Sequence, residues 1–183
     1  MPIVAMESDL QITTEDSPLL IPETLEFETL EDYGETSREN ESSVILYGNL
    51  GHGGILFTGD AGKEALNKAY QYAQEKRLNI AANLSFIQIP HHGSKRNVEP
   101  TILDNIVGKF PTNGRSTVAY VSCGKNNKKH PAQVVVNAFI RRGCRVVATQ
   151  GSTKQYYRGN VPAREGWVTA ETLPFFDMVE SYD

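Results

Sequence analysis

The chain is poor in the residues that cross-link or bind metals: among 183 residues there are two cysteines and four histidines, and no histidine precedes His52. Cys123 and Cys144 stand too far apart for a C-x-x-C metal knuckle. Each borders an apolar, strand-like run, the setting of reduced and buried thiols rather than of a disulfide. No apolar run approaches the length that crosses a bilayer, and the opening MPIVAMESDL lacks the basic region and long apolar core of a secretory signal. These absences point to a cytoplasmic protein with no membrane partner. No internal repeat or low-complexity run is present, which excludes solenoid architectures.

Basic charge is nearly missing from residues 1–42, which hold twelve acidic side chains and one basic, Arg38. The remainder holds seventeen basic and ten acidic side chains. An acidic leader therefore precedes a basic body, and a basic body favours an anionic substrate such as a phosphoester or a nucleic acid. Pro18 and Pro22 interrupt the leader and its apolar pieces are short, so residues 1–42 read as partly ordered, with room for one edge strand.

Order is expected from Ser43. SVILYGNL (43–50) and ILFTGD (55–60), joined through a glycine-rich turn, read as a β-hairpin. Residues 62–76 place Ala65, Leu66, Ala69, Tyr70 and Ala73 on one helical face. A strand over 84–89, a short helix over 99–107, a strand over 116–123 and a helix over 131–142 follow. CRVVATQ (144–150) and TKQYYR (153–158) read as a closing hairpin across Gly151-Ser152. The order ββ-α-β-α-β-α-ββ predicts an α/β (α+β) fold, a mixed β-sheet with helices on one face. The body spans 43–158, and 159–183 form a tail whose Trp167, Phe175 and Phe176 are expected to pack back on it.

Three places carry residues suited to chemistry. The strand LSFIQI (84–89) runs into Pro90, which cannot donate to a ladder, and then into His91-His92-Gly93-Ser94. Two imidazoles thus arrive at a strand's carboxyl end, where open α/β sheets place their ligands. Imidazole is the commonest metal ligand. Adjacent residues on an extended backbone point apart, so one is expected to ligate while the other faces substrate or supports the ligand from behind. Asp60, at the end of the strand 55–59, either reaches a cation or caps the helix that follows. His130, behind the basic loop Lys125-Asn126-Asn127-Lys128-Lys129, is either a solvated helix-start residue or a proton donor at a helix amino end. His52 reads as a turn residue.

Taken together these pieces resemble the metallo-β-lactamase superfamily, closest to the hydrolase-like domain of competence DNA-uptake channel proteins. The resemblance runs over about residues 40–155. It rests on Asn40 to Val44 (N-x-x-S-V), Ile55 to Asp60 (ending T-G-D), Pro90 to Ser94 (P-H-H-G-S), Ser122-Cys123-Gly124 followed by Asn126 to Pro131 (N-x-x-x-H-P), and Val146 to Thr149. It implies the C-terminal half of an αββα sandwich and a dinuclear zinc or manganese site. Asp60 and His92 would be metal ligands, His91 and His130 would be catalytic groups, and Ser94, Lys95, Asn126 and Lys129 would contact substrate. The implied activity is metal-dependent hydrolysis of a phosphodiester or related ester.

The superfamily's H-x-H-x-D-H signature appears nowhere in the 183 residues. One carboxylate and one or two histidines fall short of the three or four protein ligands that zinc takes. The chain is therefore expected to be incomplete as a catalyst, a half that pairs with a missing N-terminal half or with a second copy as a homodimer. A non-catalytic nucleic-acid-binding or assembly module, with a basic groove around Lys95, Arg96, Lys125, Lys128 and Lys129, is one alternative; a structural remnant whose Asp60 caps a helix and whose histidines line a turn is the other. A lone half would expose one sheet face, which dimerisation or the acidic leader is expected to cover.

Overall fold

The computed structural model describes residues 19–109 and 117–182. Residues 1–18 of the leader and Ser116, expected to open the central strand, lie outside them.

A five-stranded sheet forms the centre, in the order β2 (Leu46–Asn49), β3 (Gly54–Phe57), β4 (Leu84–Gln88), β5 (Thr117–Val121) and β6 (Cys144–Ala148). β2 and β3 are the expected antiparallel hairpin, with Leu46 opposite Phe57; the pairs β3–β4, β4–β5 and β5–β6 are parallel. The fold is thus mixed α/β. Each parallel step crosses over through helix: α2 (Lys63–Glu75) and α3 (Ile80–Asn83), then α4 (Pro100–Ile106), then α5 (Gln133–Arg141). Because the strand order advances in one direction and such crossovers share one hand, these helices fall on one face. Leu66, Ile102, Leu103, Val135, Phe139 and their neighbours meet Leu56, Ile87, Ala119, Val121 and Val146 of the sheet in one buried core.

The opposite face has its own small cluster around Phe86, Val118 and Val147, with Ile55, Tyr120, Tyr156 and Ala170 packed on it. The Phe86 ring lies 5.0 Å from Tyr156, 5.1 Å from Tyr120 and 5.7 Å from Phe57. This corrects the expected closing hairpin, since residues 153–158 form no strand. Tyr156 instead donates its hydroxyl to Ser85 O (3.2 Å), and Tyr120 donates to Gln155 O (3.1 Å). Two tyrosine side chains thereby hold the segment across the sheet face. The edge of β6 is met further on, by the Leu173 amide bonded to Val146 O.

Among the described residues, the leader does not cover that face. Its strand β1 (Leu20–Pro22) pairs antiparallel with β7 (Met178–Glu180) in a separate two-stranded ribbon. The leader is tied to the helical side: Glu23 pairs with Arg141, and Glu28 with Arg142, whose guanidinium also reaches Asp104 (2.8 Å). A short helix, α1 (Arg38–Glu41), precedes β2. Order in the described chain therefore begins well before Ser43. Its signal was weak because β1 and β7 are three residues each, too short for a period to show. Of the tail aromatics, Phe176 packs against the main core while Trp167 stays about half exposed.

Candidate functional site

β3, β4 and β5 run parallel, so the residues that follow them share one end of the sheet. Asp60 follows β3, His91 and His92 follow β4, and Ser122 follows β5. His52 lies in the turn before β3, at the opposite end.

After β4 the backbone turns sharply. His91 (φ 43°), His92 (φ 57°) and Gly93 (φ 81°) are all left-handed in succession. Such conformations in non-glycine residues are costly and persist where surrounding contacts over-determine them. Here the contacts are the His91 amide on Gly59 O (3.1 Å), the Ser94 amide on His91 O (3.0 Å) and the Ala132 amide on Gly93 O (3.0 Å). Because the chain is not extended there, the expectation that the two histidines point apart does not hold. Their ring centroids are 5.7 Å apart, and His130 stands 6.3 Å from His91, nearly perpendicular to it.

His92 Nδ1 lies 2.6 Å from Ser122 O. A carbonyl only accepts, so Nδ1 carries the proton, and a neutral His92 keeps Nε2 as its free lone pair. A ring held in this way has the usual form of a metal-ligating imidazole. His91 Nδ1 faces Asp60 Oδ1 at 3.7 Å, too long for a hydrogen bond but close enough for charge attraction if the ring is protonated. The Nδ1 atoms of His91 and His130 are both buried with no hydrogen-bond partner in the protein. Unsatisfied buried polar atoms of this kind mark a place where a ligand or ordered water completes the bonding. Burial, helped by the neighbouring His91, His92 and Lys129, holds the His130 pKa below its usual value. Burial therefore favours the neutral form of His130.

Asp60 does not cap α2. The first turn of that helix has no side-chain cap of its own, and the Ala65 amide donates to Glu41 Oε2 (2.6 Å) from α1. Asp60 is held by its backbone instead: the side-chain Nδ2 of Asn97, a buried residue, donates to Asp60 O (3.1 Å) and to Ala61 O (3.3 Å). Its carboxylate stays about half exposed beside His91.

The remaining predicted residues divide. Lys129 and Asn126 lie exposed on the loop leading to His130, which Asn127 shapes by accepting the amides of Lys129 (2.9 Å) and His130 (3.1 Å). Ser94 is buried, and its hydroxyl accepts the Arg96 amide at 3.3 Å. Lys95 reaches Ser181 O (2.5 Å), with its ammonium over the rings of Tyr182 (4.4 Å) and Tyr33 (5.6 Å). The structure thus brings Asp60, His91, His92 and His130 together and directs Lys95 to the ends of the chain.

No family model, curated protein or solved structure matches the chain. The site is therefore read from its own geometry. Whether it suits zinc or manganese turns on the donor set. His92 has the form of a ligand and Asp60 is an accessible carboxylate, but among the described residues no group of three or more His, Cys, Asp or Glu is arranged to hold a metal ion. The described residues do not close a metal site by themselves. No helix among the described residues is long and apolar enough to cross a membrane.

Proposed function

We propose that this chain carries the acid–base and anion-binding side of a phosphoester hydrolase, as one half of a metallo-β-lactamase-like αββα sandwich. The supporting observation is the convergence of Asp60, His91 and His130 on one end of the sheet, with the Nδ1 atoms of His91 and His130 buried and without partners. Lys125, Lys128 and Lys129 on the adjoining loop would draw in an anionic phosphodiester. His130, whose neutral form is favoured by burial, would accept a hydrogen bond or proton and return it to a leaving oxygen. His91, across from it, would do so under the influence of Asp60. Asp60 and His92 are what this chain would contribute to a zinc or manganese centre, the other ligands coming from a missing half or a second copy. We place the protein in the cytoplasm, on the strength of its two unpaired, buried cysteines.

The test is hydrolysis of bis(4-nitrophenyl) phosphate with added zinc or manganese, together with equilibrium binding of dimethyl phosphate. Turnover lost in Asp60→Asn and His91→Ala supports the reading. So does absent turnover accompanied by binding that weakens in His130→Ala. Turnover indifferent to these substitutions, or neither turnover nor binding, overturns it.

A further inference from the structure

Helix α5 begins directly after His130-Pro131, and its cap residue, Ala132, has no side chain able to satisfy the first amides. The carboxylate comes from elsewhere: the Gln133 amide donates to Glu180 Oε2 (3.1 Å) of β7. One turn on, the side chain of buried Asn137 exchanges two bonds with the Phe176 backbone, Nδ2 donating to Phe176 O (2.7 Å) and Oδ1 accepting the Phe176 amide (2.8 Å). One further turn on, Arg141 pairs with Glu23 of the leader at 2.6 Å. Residues 133, 137 and 141 recur every four positions and share a helical stripe. The β1–β7 ribbon, through Glu180 and the flanking residues Phe176 and Glu23, is therefore fastened along α5. It also ends on the other histidine turn, where Lys95 lies on Ser181 O beside the rings of Tyr182 and Tyr33. Those two rings stand 4.8 Å apart, and the Tyr182 oxygen accepts the Glu31 amide at 2.9 Å.

We infer that this ribbon is a clamp that holds the two joined histidine turns in place on the fold, with Glu180 as a positioning residue. The route is short. Glu180 fixes the amino end of α5, the Ala132 amide there bonds Gly93 O (3.0 Å), and Pro131 packs on Gly93, so movement of the helix end displaces His130 and the His91–Gly93 turn together. Lys95 restrains that turn from its far side. The inference rests on reading these histidines as the working residues; its test reads geometry rather than binding, so the two fail separately.

The experiment compares Glu180→Ala and Glu180→Gln in the full chain by NMR, following the Gly93 and Ala132 amides and the imidazoles of His91 and His130. Glu180→Ala is expected to shift all four and to speed exchange of the Gln133 amide about tenfold, as loss of one hydrogen bond implies. Glu180→Gln, which keeps an acceptor, is expected to restore the native positions. A control substitution in the core, Ile102→Val, should lower the melting temperature without moving the four signals. Should Glu180→Ala fail to fold, Lys95→Met is read instead, with displacement of His91 expected. Signals left in place while only stability falls, or equal displacement in Glu180→Gln and Glu180→Ala, overturns the inference.

Discussion

Gly93 and Pro131 pack so closely that a β-carbon added at Gly93 would lie 2.7 Å from Pro131 Cβ and 3.0 Å from its Cα. The contact joins the turn carrying His91 and His92 to the loop carrying His130, and the positive φ of Gly93 makes the position unfavourable for any side chain. Gly93→Ala is expected to cost about 2 kcal/mol or more in urea unfolding, from backbone strain together with overpacking. The same variant should displace the His91 and His130 resonances.

Arg142 is almost fully buried between Glu28 of the leader and Asp104 of α4, and it also donates to Ala138 O and Pro100 O. Its removal leaves two carboxylates facing an empty space. Arg142→Ala is expected to destabilise the protein by about 3 kcal/mol, the lower part of the range for breaking a buried pair from one side, since both acids keep some water. Thermal or urea unfolding measures it. Lys68→Ala, which breaks a largely exposed pair with Glu64 on α2, should leave the midpoint almost unmoved.

His130 gives the fold a pH dependence of definite sign. Its pKa in the folded chain is held below the ordinary 6.5, mainly by burial and then by His91, His92 and Lys129. As pH falls, the unfolded chain takes up the proton first. The stabilising contribution is therefore complete above about pH 6.5 and is lost as pH drops from there through the folded pKa. Urea midpoints measured across that window should fall less steeply in His130→Asn than in the native chain. An unchanged slope would show that His130 is not held neutral.

Cys144 is buried at the start of β6, and burial pushes its thiol pKa up to about 12; burial also raises that of Cys123. Thiolate is the reactive form, so both should resist a disulfide reagent in the native protein and react at once in denaturant. Fast native labelling of Cys144 would contradict the placement of β6.

Most elements of the body are legible as periodicity. The apolar stripes of α2 and α5, the hairpin β2–β3 and the Pro90 stop after β4 each follow from a few adjacent residues. The chemistry-bearing residues Asp60, His91, His92 and His130 are legible for the same reason, as short motifs at strand or helix ends. What was not legible is the set of contacts between residues distant in sequence. Asn97 acts on Asp60 from 37 residues away, Glu41 on Ala65 from 24, and Glu180 on Gln133 from 47. Nothing local marks them, because an Asn, a Glu and another Glu in polar segments look like surface residues until the fold closes. The segment 153–158 misleads in the other direction. Its aromatic content resembles a strand, whereas Tyr156 spends its ring on Phe86 and its hydroxyl on Ser85 O, across the sheet rather than along its edge.

The most direct test of the account is a titration of the full chain with dimethyl phosphate, followed through the side-chain nitrogen resonances of all four histidines. The account predicts that His91 and His130 shift together with one midpoint, that the midpoint moves to higher concentration as salt is raised, and that His52 stays in place at the far end of the sheet. Resonances of His91 and His130 that do not move, or that move no more than His52, would contradict it.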